Sequence, residues 1–220
     1  MKKTFQIRLS WRNQAAWFVV AALGLVIAGF AYYRLEANHL RQERYEDIKS
    51  IADLKAGQIQ RWRRERLADA GRTVKSPLLS KAVGDWLRDP ENPSLRNALQ
   101  SRLDLEHDVG VYGDAILFAP DGRVLLSASG RTDAPGDDAQ HTIQEAISRR
   151  DAVLSDFFRC PDGRICLDAT APVFDSDGHP LAVLSLRSYA DDLIYPLIQS
   201  WPTPSQSAET LLVRKDGGDV

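Results

Sequence analysis

Cysteine and methionine are scarce in this sequence: the 220 residues hold 2 Cys and 1 Met, and the 4 His residues stand isolated. Two cysteines exclude a disulfide-rich scaffold and a four-cysteine zinc site, and histidines without partners at ligand spacing predict no metal site. The sequence also has no large excess of either charge, because 28 Lys and Arg residues and 30 Asp and Glu residues give a net charge of -2. A general nucleic-acid binder needs a basic face, so we predict no nucleic-acid partner.

Motifs of catalysis are also missing. The sequence has no Gly-x-Ser-x-Gly, no phosphate-binding loop and no His-Glu-x-x-His. The run Asp175-Ser176-Asp177-Gly178 begins like a calcium-binding loop but lacks the later carboxylates, and a hairpin turn explains it better. We therefore expect a chain that is not itself an enzyme and that takes no cofactor.

Charge is absent from residues 15–33, AAWFVVAALGLVIAGFAYY, which are nearly all apolar. As a helix, this segment would extend about 28 Å, the thickness of the hydrocarbon core of a membrane. Residues 1–14 carry four basic and no acidic residues, which predicts a cytoplasmic N-terminus, one membrane span and a location outside the cytoplasm after residue 33. A cleaved signal peptide would share the basic start, but the apolar run is longer than usual and no Ala-x-Ala cleavage site follows.

Proline is absent from residues 34–75, where strong helix formers predominate. Ser76-Pro77 marks the end of the predicted helix. Such a helix would be about 60 Å long, too long to bury one face against a small domain. We predict a signalling helix that pairs with a second copy in a homodimer, runs along a neighbouring domain, or does both; a plain stalk is the alternative. Its apolar stripe is formed by Tyr45, Ile48, Ala52, Ala56 and Ile59.

Short apolar runs separated by Asp-Gly turns predict a sheet in residues 76–200. With the helices among them, they predict an α+β fold, an antiparallel sheet with helices packed on one face. The predicted helices cover residues 78–87, 94–105, 142–150 and 191–199. The predicted strands cover residues 114–119, 123–128, 157–160, 164–167, 171–174 and 180–186. A further strand and Asp-Gly turn at 211–218 lack a return strand, so we expect residues 201–220 to start a truncated second lobe of a longer protein.

This order of elements resembles the double Cache sensor module of bacterial transmembrane receptors, which has an anchor, a long helix, a PAS-like membrane-distal lobe and a second PAS-like lobe nearer the membrane. The matching stretches are YYRLEANHLRQERYEDIKSIADLKAGQIQRW, GDAILFAPDGRVLLS and LDATAPVFDSDGHPLAVLSLR. The resemblance implies that residues 76–200 are the membrane-distal sensor lobe. It also implies an extracytoplasmic ligand-sensing input region, for which we expect a sensor histidine kinase as the parent, with a diguanylate cyclase or a chemoreceptor as alternatives. A stand-alone, membrane-anchored protein-binding module is a further alternative.

The resemblance implies a ligand bound against the sheet of the distal lobe. Alternation along the last strand places Leu181, Val183, Ser185, Arg187 and Tyr189 on one face, where Arg187 can hold a carboxylate through two hydrogen bonds. Asp168 can hold an amine, which suits an amino acid or organic acid as the small-molecule ligand. The alternative is that Arg187 and Asp168 pair with each other or face water. Further candidate ligand-binding residues are Tyr112, Asp114 and Asp156.

The two cysteines flank the turn Pro161-Asp162-Gly163. A tight hairpin brings such positions opposite each other, and an oxidising compartment favours their oxidation. We predict a Cys160–Cys166 disulfide, with a redox or metal role as the alternative.

Overall fold

The computed structural model describes residues 11–108, 112–192 and 194–200, of which residues 11–15 and 108 are described by backbone only. The chain forms two compact units, residues 1–54 and 55–220. The predicted second-lobe start at 201–220, its turn at 211–218 and most of the predicted cytoplasmic segment lie outside the described residues.

The first helix, α1, runs from Trp11 to Val74 and covers both the apolar segment and the predicted long helix. Among the described residues it is the one helix long and apolar enough to cross a membrane, by length and composition. Side chains of the apolar segment are exposed, as are Tyr45 and Ile48 of the predicted stripe. The helix ends before Ser76 and Pro77, as predicted.

Two short helices follow, α2 at Pro77–Arg88 and α3 at Pro93–Asp108. Proline suits the first helical position, because its missing N–H would have no partner there. Buried residues of α2 recur at spacings of three and four, which gives the helix one apolar face; they are Leu79, Val83 and Trp86.

The sheet consists of β1 (Asp114–Phe118), β2 (Val124–Ser127), β3 (Val153–Leu154), β4 (Phe158–Arg159), β5 (Ile165–Phe174) and β6 (Pro180–Tyr189). Its order is β2-β1-β6-β5-β3, β4 also pairs with β5, and every pairing is antiparallel. Helix α4 (Asp137–Arg149) lies between β2 and β3 in the chain, and α5 (Ile194–Gln199) follows β6. The predicted α+β antiparallel architecture is confirmed.

The helices cover both faces of the sheet, so the prediction of one covered face is wrong. Helices α2 and α3, with Ala70 of α1, pack on the face formed by Leu117, Leu184 and other residues of the main core. On the opposite face, Ile143 of α4 packs against apolar side chains of β1 and β6, namely Ile116, Phe118 and Val183. The second face is only partly apolar, and its polar part holds the candidate site.

Two further predictions of the sequence need correction. The strands predicted at 164–167 and 171–174 are parts of one ten-residue strand, β5, which begins at Ile165, and the short edge strand β3 was not predicted. Leu181 does not share a face with Val183, since it packs against the main core near a register shift that interrupts the alternation. The remaining strands and helices lie where the turn signals place them, although α4 begins at Asp137, five residues before the predicted start at 142.

A third apolar cluster joins α1 and α5 to the sheet. Trp62 of α1 packs with Leu167, Ala190, Ile194 and Ile198. Beside it the Lys55 ammonium, 5% exposed, donates hydrogen bonds to the carbonyl oxygens of Leu197, at 2.9 Å, and of Ser200. A cation suits this end of α5, where the last carbonyl groups have no partners in the helix.

Tyr112 ties the start of β1 to α1 and provides a test of this packing. Its hydroxyl donates to Asp69 at 2.6 Å, and burial together with this bond raises the pKa of the phenol. Because the folded-state pKa exceeds the ordinary value of about 10, the bond stabilises the fold below that pH, and its contribution is lost as pH rises towards the folded-state pKa. We expect Tyr112→Phe to lower the free energy of unfolding by about 1–2 kcal/mol near neutral pH.

Urea unfolding measures this difference, which should shrink above about pH 10. The matched control is Tyr45→Phe, since the Tyr45 side chain on the same helix is 70% exposed. Equal losses in the two variants would contradict the stabilising role of the bond from Tyr112 to Asp69.

Candidate functional site

A row of buried charges crosses the second face of the sheet. Asp114 of β1 lies opposite Arg187 of β6, which in turn lies opposite Asp168 of β5. These residues are 0%, 4% and 1% exposed. Burying ionised groups is costly unless they are paired and hydrogen-bonded, so their partners determine what the site can bind.

Arg187 and Asp168 form a two-point ion pair. The Arg187 Nε donates to Asp168 Oδ1 at 2.8 Å, and Nη2 donates to Oδ2 at 2.7 Å. Burial by itself disfavours the charged guanidinium, but the bond and charge of Asp168 outweigh it and raise the pKa of Arg187. The remaining nitrogen, Nη1, makes no hydrogen bond to the part of the chain that the structure describes.

Asp114 is satisfied by the turn after β2. The hydroxyls of Ser127 and Ser129 both donate to its carboxylate, at 3.0 and 2.6 Å, and the Ser129 backbone N–H donates at 3.0 Å. Arg131 follows in the same turn, with its Nε 3.9 Å from Asp114. This distance is too long for a hydrogen bond, so Asp114 attracts Arg131 without occupying its N–H groups.

Arg131 is a largely buried cation with unused hydrogen-bond donors. Its side chain is 14% exposed, and its Nε and Nη1 have no hydrogen-bond acceptor among the described residues. The nearest carboxylate to Nη1 is that of Asp133, at 3.8 Å. A guanidinium that is largely buried without acceptors suits an incoming anion, above all a planar carboxylate that can accept two bonds.

Arg131 and Arg187 line one cavity, which we call the sheet pocket. Its volume is about 230 Å³, and it lies between the sheet, the start of α4 and the β4–β5 hairpin. The apolar part of its wall includes Ile116, Phe118 and Phe158, and the Arg187 guanidinium lies 5.4 Å from the centre of the Phe158 ring. Apolar walls with a few fixed polar groups are typical of small-molecule sites.

The structure brings together three of the five predicted ligand-binding residues. Arg187 lines the sheet pocket, while Asp168 and Asp114 lie beside it in the row. Tyr112 belongs to the main core on the other face, where it contacts α1. Asp156 lines a second cavity at the β3 edge of the sheet, of about 560 Å³, which we call the edge pocket.

Sequence reasoning missed Arg131 and three lining residues near it, Asp133, Asp138 and Phe158. Arg131 and Asp133 lie in the connection between β2 and α4, where no alternation pattern applies. Arg131 follows the Ser-Gly pair of that turn, and only the folded turn reveals that its guanidinium lies over the sheet. The late predicted start of α4 also left Asp138 outside the helix that positions it.

Cys160 and Cys166 form a disulfide in the structure, with 5.9 Å between their Cα atoms. The bond closes the β4–β5 hairpin, and Tyr189 and Phe158 pack against it. The hairpin also contributes Phe158, Arg159 and Pro161 to the sheet pocket. The disulfide therefore constrains one wall of that pocket.

We expect the double variant Cys160→Ala, Cys166→Ala to unfold with a free energy lower by about 2 kcal/mol, because the short loop is no longer closed in the unfolded chain. Urea unfolding with and without dithiothreitol measures the effect. Reductant should lower the stability of the wild type to that of the variant and leave the variant unchanged. A variant as stable as the oxidised wild type would contradict the role of the bond.

Comparison with solved structures identifies the fold. No protein-family model and no curated protein sequence matches the chain. The sensor domain of the Vibrio cholerae histidine kinase DctB is similar, with a TM-score of 0.57 and 15% identity over 72% of this chain and 60% of that one. The ligand-binding domain of the Campylobacter jejuni chemoreceptor Tlp3, solved with L-valine, has a TM-score of 0.50 and 16% identity over 69% of this chain and 62% of that one.

The chain shares the fold of these two solved domains. The resemblance predicted from the sequence is therefore confirmed at the level of the fold. The chain spans less than two thirds of the length of either solved structure.

Proposed function

We propose that this chain is the extracytoplasmic ligand-sensing input region of a transmembrane signalling protein. The observation that carries the proposal is the pair of buried guanidinium groups, Arg131 and Arg187, that line one small cavity and keep unused N–H donors. The chain itself would carry out no chemistry.

The ligand class follows from the donors of the sheet pocket. A carboxylate can accept from Arg131 and from the free nitrogen of Arg187, while Asp133 and Asp138 of the same lining offer acceptors for an ammonium group. The cavity of about 230 Å³ suits a small molecule. We propose an amino acid or a small organic acid as the ligand.

The similar solved structures support this proposal. One is the sensor domain of a histidine kinase, and another is the ligand-binding domain of a chemoreceptor that was solved with L-valine. We propose a sensor histidine kinase as the parent protein, with a diguanylate cyclase or a chemoreceptor as the alternative. The type of output domain in the parent protein distinguishes these alternatives, because each has a different one.

We propose that residues 15–33 span the inner membrane, with residues 1–14 in the cytoplasm and the sensor lobe, 76–200, in the periplasm. The basic N-terminus and the uncharged apolar run support this topology. We propose that the segment 34–75 pairs with a second copy of the chain. Tyr45 and Ile48, 70% and 59% exposed on α1, are apolar side chains that a partner helix would cover.

Contacts among the described residues connect the sheet pocket to α1. Strand β6, which carries Arg187, continues into α5, whose Ile194 and Ile198 pack with Trp62 of α1. Lys55 of α1 also binds the carbonyl groups at the end of α5. A ligand that shifts Arg187 and β6 would therefore bias the contact between α5 and α1.

The test is a thermal-shift screen of the full chain in detergent micelles against amino acids and organic acids. A ligand that binds only the folded state raises the melting temperature by mass action. We expect at least one carboxylate to raise it, and the corresponding amide or alcohol to have no effect. If no carboxylate in the panel shifts the transition, the sensing proposal loses its support, and a protein-binding module becomes the better account.

A further inference from the structure

The disulfide between Cys160 and Cys166 lies next to the row of buried charges on the second face of the sheet. Cys166 of β5 is directly opposite Phe158 of β4 and Tyr189 of β6. Side chains two residues apart along a strand share a face, and Cys166 and Tyr189 are each two residues from a member of the charge row. The disulfide and the sheet pocket are therefore neighbours on one surface of the sheet.

Strand β4 is short, and the disulfide links its end covalently to the long strand β5. The two residues of β4, Phe158 and Arg159, pair with the first two residues of β5. Backbone bonds alone hold so short a strand weakly. Just past it, the Cys160 N–H donates to the Arg164 carbonyl oxygen at 2.8 Å, a bond within the same hairpin. We therefore expect β4 to be the part of the fold that loosens when the disulfide is reduced.

The segment that the disulfide holds forms one wall of the sheet pocket. Phe158, Arg159 and Pro161 all line this cavity. The Phe158 ring packs against the cysteine pair on one side, and its centre lies 5.4 Å from the Arg187 guanidinium on the other. An aromatic ring at this distance attracts the cation and covers it from water. Movement of β4 would therefore open the pocket at the group that binds the carboxylate.

The sulfur atoms are shielded by the same packing. Cys160 is 2% exposed and Cys166 is 0% exposed. A reductant in solution can therefore reach the bond only after the hairpin opens. A ligand seated against Phe158 would oppose that opening, because it packs on the wall that has to move. Ligand binding and disulfide reduction are thus coupled, and the coupling of two such equilibria is reciprocal.

We propose that the Cys160–Cys166 disulfide makes carboxylate binding redox-dependent, an inference that rests on the proposed function of the sheet pocket. In the oxidised chain the wall is already ordered, whereas in the reduced chain β4 has to be ordered when the ligand binds, which lowers the affinity. The reductant is a dithiol. It transfers two electrons and two protons, the bond between the sulfur atoms of Cys160 and Cys166 breaks to give two thiols, and the dithiol closes to its own disulfide.

Titration calorimetry of the full chain in detergent micelles tests the proposal, with propionate as the probe, at a temperature where every variant is folded. Propionate carries a carboxylate for the guanidinium groups and a short apolar body for Phe158. We expect dithiothreitol to weaken propionate binding to the wild type about five- to tenfold. The double variant Cys160→Ala, Cys166→Ala should show the weaker affinity with and without reductant.

Tyr112→Phe is the matched control for a loss of stability alone. It should destabilise the chain from the other face of the sheet, where Tyr112 contacts α1, and keep the affinity of the oxidised wild type. The reciprocal measurement is the rate at which dithiothreitol reduces the disulfide, followed by thiol alkylation and mass spectrometry. Saturating propionate should slow this rate several-fold, whereas propionamide, which lacks the charge, should not.

The outcomes separate this inference from the function on which it rests. Equal affinities of the oxidised and reduced wild type would overturn the redox dependence and leave the carboxylate site standing. A loss in Tyr112→Phe as large as that in the double cysteine variant would also overturn it, because the loss would then follow stability. If propionate does not bind, or binds Arg131→Gln as well as the wild type, the proposed function of the sheet pocket fails and the redox dependence fails with it.

Discussion

Replacing Arg187 with Met should lower the free energy of unfolding by about 3–5 kcal/mol, the usual loss when one partner of a buried ion pair is removed. The Asp168 carboxylate, 1% exposed, would lose both of its side-chain bonds and be left buried without its ion-pair partner. The variant keeps a similar side-chain volume, so the loss reports the charge rather than a cavity.

A double variant distinguishes the contribution of the Arg187–Asp168 ion pair to stability from the contribution of side-chain packing. Arg187→Met together with Asp168→Leu removes both charges, and we expect it to recover most of the lost stability, because apolar replacements of a buried pair are often neutral or better. The matched control is Arg164→Met. Arg164 pairs with Asp162 on the exposed β4–β5 turn, and removal of such a surface pair should cost no more than about 1 kcal/mol.

Urea unfolding of the full chain in micelles measures these free energies. If Arg187→Met costs no more than Arg164→Met, the pair does not hold β5 and β6 as the structure indicates. If the double variant is as unstable as the single one, the stability lost in Arg187→Met comes from poorer packing and not from the unpaired charge of Asp168.

Replacing Arg131 with Gln should weaken binding of the carboxylate ligand about 100-fold while changing stability little. A charged hydrogen bond contributes about 1.5–3 kcal/mol, and every 1.4 kcal/mol changes affinity about tenfold. Stability should be nearly unaffected, because Arg131 makes no side-chain hydrogen bond within the described residues and lies 3.9 Å from Asp114. Arg131 therefore tests binding more cleanly than Arg187, whose loss also destabilises the fold.

Titration calorimetry with the carboxylate found by the screen measures the affinity. Arg96→Gln is the matched control, since Arg96 is exposed on α3, which packs on the other face of the sheet. An unchanged affinity in Arg131→Gln would remove Arg131 from the site. An equal loss in Arg96→Gln would indicate an effect of overall charge.

Turn chemistry and periodicity were sufficient to predict most of the fold. Each Asp-Gly turn within residues 112–192 joins two strands, and the Ser-Pro pair does separate α1 from α2. The errors have physical causes. The start of α4 was predicted late because Gly136 precedes it without a side-chain cap. The register shift between β5 and β6 moved Leu181 to the other face, which period-two alternation cannot foresee.

The candidate site was only partly predictable. The alternation of side chains along β6 predicted that Arg187 lies on the face of the sheet that carries the sheet pocket. The antiparallel register brings Asp168 and Asp114 beside it. Arg131 lies in a turn, where side-chain direction depends on backbone geometry and not on period. Tyr112 was a further candidate for the site, but it lies on the opposite face, against α1.

The central claim is that a carboxylate binds between Arg131 and Arg187. The most direct measurement is a crystal structure of the full chain with the carboxylate that raises the melting temperature most. Our account predicts carboxylate oxygens within about 3.2 Å of Arg187 Nη1 and of an Arg131 nitrogen, with the Arg187–Asp168 pair intact. A ligand bound elsewhere, or a carboxylate beyond about 4 Å from both guanidinium groups, would contradict it.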